Sequence, residues 1–500
     1  MTTVNSRSVY FLLSFILLTG FILRFYHIDH SGSWLDEKIS LAESNGFTYL
    51  TPQFNQSFTT AEIKQANTIP NVVSATIKED GGNGLLYILK LHYWQSMFGS
   101  SDTAIRMLSL LFSLLSVIVV YFAAAVFFQS QRVALFTALL LAIHPLLVDF
   151  AQEARPYSMA MFFSLCSTLF FYKAFVANNQ SNHNKSYLLL YFFSCSASVM
   201  THYLTAYIFI AQGLYFLIYV RGTNHWLYFI ASWIGVILVL SVWMMNGGLE
   251  GLRYMSEHNQ HYVSQLETLK EGDNPFILPA NFKNIFLGWM QQLLAATGNT
   301  LQQAGFRLRV LIPLFIIPAV LFMFCYKKTS DSDKRPLLFC SLLALSGCCY
   351  ATLLALIAGH TISFQPAYVL FSAPYLSMLL CYGASKLFYS ESKLLRKVSV
   401  SFLLLLVITS SLYLHYSTDK LTYTKAQPNP VAALAEILPG KVNAGDTVVF
   451  SNYTEALITN IYLDSTFKNI QLIDTLINDK VIIKNTGTVI FDLENGKHRY

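Results

Sequence analysis

Asp36 and Glu37 are adjacent carboxylates a few residues past an apolar run, Val9 to Phe25, that is long enough to enter a bilayer. Burying charge near hydrocarbon is costly, so a pair kept there asks for a reason. Catalysis supplies one. A positioned carboxylate can take the proton of an attacking hydroxyl, a contribution of about 10²–10⁴ in rate. Glu37 could orient Asp36 or contact an acceptor, and its charge would raise one pKa of the pair. Arg155 offers the complementary group, because its planar fork matches phosphate oxygens and stabilises them as they leave. One base and one guanidinium at the same membrane depth are the minimum for displacing a phosphate.

Other polar residues gather around these. Lys78-Glu79-Asp80-Gly81-Gly82-Asn83 closes a long loop, Gln152 to Tyr157 surrounds Arg155, and His202 stands between two apolar runs. Glu257-His258-Asn259-Gln260-His261 and Gly359 to Pro366 are further clusters. Each has a plain reading as well. Asp36 and Glu37 suit the N-terminus of a helix beginning at Ile39. Asp80-Gly81-Gly82 suits a turn, Arg155 can snorkel to an interface, and His202 can be a satisfied helix-end histidine. Glu257, His258 and His261 have ligand-like spacing, but without further ligands they make no strong metal motif.

The elements that position these groups are read from composition. The 500 residues are 54% hydrophobic and 12% charged, against about 25% charged in soluble domains. The 39 Phe and 29 Tyr suit lipid-facing surface and interfacial belts. This is an α-helical polytopic membrane protein. The net charge of +6 fits cytoplasmic loop bias, and no basic arm for nucleic acid is present. The seven cysteines fall inside apolar runs, so no disulfide framework is expected. The first run lacks a cleavage site and reads as an uncleaved anchor. Spans are expected near 9–26, 104–128, 133–150, 157–176, 187–201, 203–220, 226–245, 308–326, 337–358, 366–386 and 398–416, about eleven helices in all.

Short gaps carrying Arg132, Lys173, Lys185, Arg221, Lys327, Lys328, Lys334, Arg335, Lys386, Lys393, Arg396 and Lys397 are basic, hence cytoplasmic, as is the N-terminus. Asp36 and Asp80 then lie outside in the first outer loop, 27–103, as do Arg155 in 151–156 and His202 around 201–203; a second outer loop covers 246–307. The tail, 417–500, differs in composition from the membrane part, 1–416. It alternates a helix (Val431–Leu438), a strand (Thr447–Ser451), a helix (Glu455–Leu463) and strands near Ile470–Ile473, Val481–Ile483 and Thr488–Asp492. That pattern predicts a small extracytoplasmic α/β domain.

Arg24-Phe25-Tyr26-His27-Ile28 followed by Ser33-Trp34-Leu35-Asp36-Glu37-Lys38 resembles the opening of GT-C membrane glycosyltransferases. Within them it is similar to the bacterial protein O-mannosyltransferase and lipid A aminoarabinose transferase group. Leu85 to Trp94, Phe98 to Asp102, Arg106 to Ser109, His144-Pro145, Gln152 to Met159, Thr201-His202-Tyr203, Pro366-Ala367-Tyr368 and Gly445 to Val449 carry the likeness onward, most specifically over residues 20–205. The resemblance implies a GT-C fold in a bacterial inner membrane. It implies transfer of a sugar from a polyprenyl-phosphate donor to a lipid, glycan or protein acceptor outside the cytoplasm, with inversion at the anomeric carbon. Asp36 would activate the acceptor hydroxyl with Glu37 beside it, and Arg155 would face the lipid phosphate. Lys78, Asp80, Asn83, Tyr157 and His202 would complete the substrate site. No soluble cofactor is required; a divalent cation could bridge phosphate and carboxylate, with no strong ligand motif present. Two departures stand out. Gly81-Gly82-Asn83-Gly84 replaces the His-Pro-Pro often found after the second acidic residue, and Ala367 stands where many members have Arg. Lys78, Arg253 and Arg307 are candidate replacement cations.

Two other classes of function compete. A transporter or flippase of lipid-linked sugars would place its charges near the bilayer midplane, with broken helices and repeats; here span centres are apolar and no repeat is found. A non-catalytic scaffold would act through its tail.

Overall fold

The computed structural model describes residues 6–29, 33–48, 57–58, 60–177, 185–256, 278–296 and 331–389, with short stretches of the tail between 393 and 498. Its frame is a bundle of apolar helices. α1 (Ser6–Phe25) is followed by four helices of the first loop, α2 (Leu35–Ser44), α3 (Thr60–Ala66), α4 (Ile69–Glu79) and α5 (Leu85–Phe98). Then come α6 (Asp102–Phe128), α7 (Gln131–Ala142), α8 (Pro145–Ala151), α9 (Tyr157–Val176), α10 (Lys185–Thr201), α11 (Ala206–Tyr219) and α12 (Thr223–Ser256). α13 (Phe282–Ala296), α14 (Asp331–Ala358) and α15 (Pro366–Phe388) complete the bundle.

Among the described residues six helices are long and apolar enough to cross a membrane, or seven if α7 and α8 count as one span. These helices make the chain a multi-pass membrane protein. The count of eleven is not reached among these residues. The α10 and α11 segments are helical but shorter, and the expected spans at 308–326 and 398–416 lie outside the described residues.

The expected span at 133–150 is two helices bent by 57°. Pro145 opens α8 and cannot continue the hydrogen-bond ladder of α7. The carbonyls freed at the end of α7 are taken by Arg24, fully buried in the last turn of α1: its guanidinium donates to Ala142 O at 2.6 Å and Leu141 O at 3.1 Å. The same side chain donates to Ser113 Oγ at 2.8 Å on α6. One cation thus ties three helices together and supplies the partners that a broken membrane helix needs.

Two apolar clusters divide the interior. The larger fills the bundle, from Val9 and Leu13 through Phe171, Tyr215 and Phe339 to Tyr375. The second joins the first-loop helices to the ends of α6 and α9 and to the tail. Ile39, Leu41 and Ala42 of α2 meet Val72, Leu91, Leu108, Leu457 and Ile458 there.

The tail contributes β2 (Val448–Phe450), α16 (Tyr453–Tyr462), β3 (Ile470–Leu472), β4 (Lys480–Ile483), β5 (Val489–Asp492) and β6 (Lys497–His498). Its sheet also takes in β1 (Ser57–Phe58), a strand from the first loop. The order is β1-β3-β2-β4-β5-β6, with β2 parallel to β3 and every other pair antiparallel. The tail is therefore not packed as an isolated unit. The expected helix at 431–438 falls largely outside the described residues.

Candidate functional site

The site is built on α2, which begins at Leu35 rather than Ile39. Asp36 and Glu37 therefore lie inside its first turn, where carboxylates favour the helix N-terminus. The two side chains part company there. Glu37 is fully buried and paired bidentately with Arg106 of α6, both contacts at 2.8 Å. It also accepts the Ala154 N–H at 2.8 Å and the Trp34 N–H at 3.4 Å. A carboxylate occupied in this way holds α2 against α6 and the 152–156 loop. Of the two expectations for Glu37, orienting Asp36 or contacting an acceptor, these contacts are of the orienting kind.

Asp36 keeps 30% of its side chain exposed. Positions 36, 40 and 43 share one face of the helix, and that face meets Arg155. Arg155 Nη1 donates to the Asp36 carbonyl at 3.2 Å and to Ser40 Oγ at 3.0 Å, and pairs with the Asp80 carboxylate at 3.1 Å. Its Nη2 stands 3.9 Å from the Asp36 carboxylate, too far for a hydrogen bond. Its buried Nε has no partner. Burial pushes the Asp36 pKa up; Arg155 pulls it down, and Asp80 and Glu37 push it up again, leaving it above the ordinary carboxylate value. Burial works to discharge Arg155, but Asp80 and Asp36 outweigh it and keep the guanidinium charged.

The loop that carries Arg155 is fixed at three points. Gln152 donates to the carbonyls of Arg24 and Tyr26, Ala154 donates to Glu37, and the Arg155 carbonyl accepts from Ser109. Asp80 ends α4, and Gly81, Gly82 and Gly84 continue at φ of 61°, 74° and 87°. The turn and the charged residue are thus one feature, with the glycines aiming Asp80 at Arg155. A second backbone lies against this turn. A Cβ on Gly251 of α12 would sit 2.3 Å from the Gly81 carbonyl oxygen. That approach follows a π-turn, Met244–Gly248, in which Gly247 adopts φ 131°.

Other expected residues surround the centre at one remove. Asn83 Oδ1 accepts the Tyr203 N–H at 2.9 Å, so its side chain braces the turn against the short link between α10 and α11. His202 is buried, its ring 5.2 Å from that of Tyr157 and 5.9 Å from Phe371, and its Nδ1 accepts the Leu204 N–H. The Leu204 contact is one that a histidine at a helix end makes. Lys78 is exposed on α4, and Arg253 is exposed near the end of α12; neither joins the hydrogen bonds around Arg155. Ala367 packs against the main core. Residues 360–365 are tied to the segment before α13: Thr361 and Leu278 exchange hydrogen bonds. Arg307, Glu257, His258 and His261 lie outside the described residues, and among the described ones no group of three or more His, Cys, Asp or Glu is placed to hold a metal ion.

Two members of the site carry no motif of their own. Ser40 receives Arg155. Glu43 is fully buried beneath the same face, and neither of its carboxylate oxygens has a hydrogen-bond partner. Burial and then Asp80 push its pKa well above the ordinary value. The 36-40-43 spacing is their only trace in the sequence.

A family model described as dolichyl-phosphate-mannose-protein mannosyltransferase matches residues 84–246, about a third of the chain. That range includes Arg155 and His202 but not Asp36. Among solved structures, ArnT from Cupriavidus metallidurans in the apo state superposes with a TM-score of 0.56 at 12% identity, covering 91% of this chain and 84% of that one. The chain has the GT-C fold. ArnT bound to undecaprenyl phosphate gives the same TM-score at 13% identity, covering 92% and 86%. The Archaeoglobus fulgidus oligosaccharyltransferase tethered with an acceptor peptide gives 0.55 at 11% identity, covering 92% of this chain and 64% of that one. The likeness to GT-C glycosyltransferases read from residues 20–205 therefore extends through most of the chain. No curated protein sequence is similar enough to match.

Proposed function

We propose that this GT-C chain transfers a sugar from a polyprenyl-phosphate donor to an acceptor hydroxyl outside the cytoplasm, in one inverting displacement. The observation that carries the reading is the pairing of a partly open Asp36 with an Arg155 whose Nη2 and Nε make no hydrogen bond. The donor class draws support from ArnT, crystallised with undecaprenyl phosphate, and from the mannosyltransferase family model.

The acceptor oxygen attacks the anomeric carbon opposite the phosphate, and its proton passes to Asp36. The carbon–oxygen bond to phosphate breaks, and the electron pair leaves on the phosphate. Arg155 Nη2 turns from Asp36 to that phosphate, while Asp80 and Ser40 hold Nη1 in place. A carboxylate whose pKa is raised by burial accepts the proton more readily than an ordinary one.

Asp36→Asn tests the assignment, since it keeps shape and removes the base. With polyprenyl-phosphate sugars supplied in proteoliposomes, transfer should fall by about 10² or more, with unchanged insertion and melting. Undiminished transfer would remove Asp36 as the base.

A further inference from the structure

The tail meets the catalytic helix at its N-terminal end. The hydroxyl of Tyr462, the last residue of α16, donates to the Asp102 carboxylate and stands 3.2 Å from Ser33 Oγ. Ser33 Oγ itself donates to the same Asp102 oxygen at 2.9 Å. Ser33 precedes Trp34, whose N–H is held by Glu37, and lies three residues before Asp36. Asp102 and Arg106 are one turn apart on α6. One turn of α6 therefore grips the start of α2 twice, through Arg106 on Glu37 and through Asp102 on Ser33, and Tyr462 closes the second grip.

The rest of α16 lies along the same helix. Leu457 and Ile458 share the apolar cluster of Ile39, Leu41 and Ala42. Asn460 accepts from Thr60 at 2.7 Å at the head of α3, and β1 is hydrogen-bonded to β3. Burial and then Asp102 push the Tyr462 pKa well above the ordinary phenol value, so the hydroxyl remains a donor.

We infer that the tail is part of the catalytic platform, with Tyr462 as a positioning residue that sets the orientation of Asp36 through Ser33 and the first turn of α2. The inference rests on the proposed role of Asp36 as base. It assigns to residues 453–462 a role in turnover that a separately folded appendage would not have. A base displaced by about 1 Å can cost up to 10² in rate, while binding made elsewhere is kept.

Tyr462→Phe in the full-length protein removes one hydroxyl and keeps the ring. Two quantities are read: amide hydrogen exchange over residues 35–44, and kcat and KM with a polyprenyl-phosphate sugar. Exchange should quicken and kcat should fall, each about tenfold, with KM changed less than about twofold. Leu457→Ala, which loosens the apolar part of the dock, should act in the same direction. Wild-type exchange over 35–44 in both variants overturns the inference. So does faster exchange with unchanged kcat, since α2 would then move without consequence for the reaction. Asp36→Asn, run beside them, separates the two readings. Should it remain active, the base assignment falls, and the exchange data still decide whether Tyr462 governs α2.

Discussion

Asp36 and Glu37 show how little residue type alone decides. Adjacent in sequence and identical in charge, one remains open beside Arg155 and the other is enclosed by Arg106, Ala154 and Trp34. The sequence marks the pair as costly; which carboxylate reaches solvent depends on the phase of α2 against α6, and no local pattern encodes that. Glu43 was illegible for a related reason: a lone Glu in a helix looks solvated until α4 and α5 close over it. Its carboxyl binds a proton more tightly folded than unfolded. The folded state is therefore favoured below the unfolded pKa near 4.5, and that advantage is lost as pH rises toward the higher folded value. Glu43→Gln removes the ionisable group and keeps the shape. Its melting temperature should match wild type near pH 4 and exceed it by a few degrees, on the order of 3–5 °C, at pH 8, as measured by thermal unfolding in detergent across that range.

Among the elements, the longer apolar runs were legible because bilayer thickness fixes the length of a span. The break inside 133–150 was half legible: Pro145 signals it, but the partner that makes it tolerable is Arg24, more than a hundred residues upstream. The Gly81-Gly82 turn was read as a departure from the family pattern. Its reason is α12, whose Gly251 backbone comes within van der Waals range of Gly81 and leaves no room for a side chain. Gly251→Ala should push the turn and Asp80 away from Arg155. Overpacking of this kind costs about 1–3 kcal/mol, and transfer should fall about tenfold alongside the loss in thermal stability. A variant that melts lower yet transfers at the wild-type rate would free Asp80 from any part in holding Arg155.

At the scale of the whole molecule, the basic gaps argue for a cytoplasmic N-terminus and an outward-facing site. Lys78 and Lys386 are both exposed, at opposite ends of the expected topology. With Cys349, the exposed cysteine among the described thiols, replaced by Ser, a membrane-impermeant maleimide applied to intact cells should label Lys78→Cys. Lys386→Cys should react only after permeabilisation. The reverse pattern would invert the assignment of sides. The tail's alternation of strands and helix was legible, but its attachment was not, because β1 is two residues long and lies some 400 residues before its partners. Arg24 extends the point from shape to synthesis. When α1 first leaves the ribosome, the carbonyls of Leu141 and Ala142 do not yet exist, and beyond the Gly20 carbonyl one turn back, 3.1 Å from Nη1, its guanidinium depends on water or lipid headgroups at the bilayer surface. As α6 and α7 arrive, that cation can withdraw from the interface into the seat they form. The late position of its partners would make α1 a helix whose final depth is set after insertion, by atoms 89 to 118 residues further along the chain.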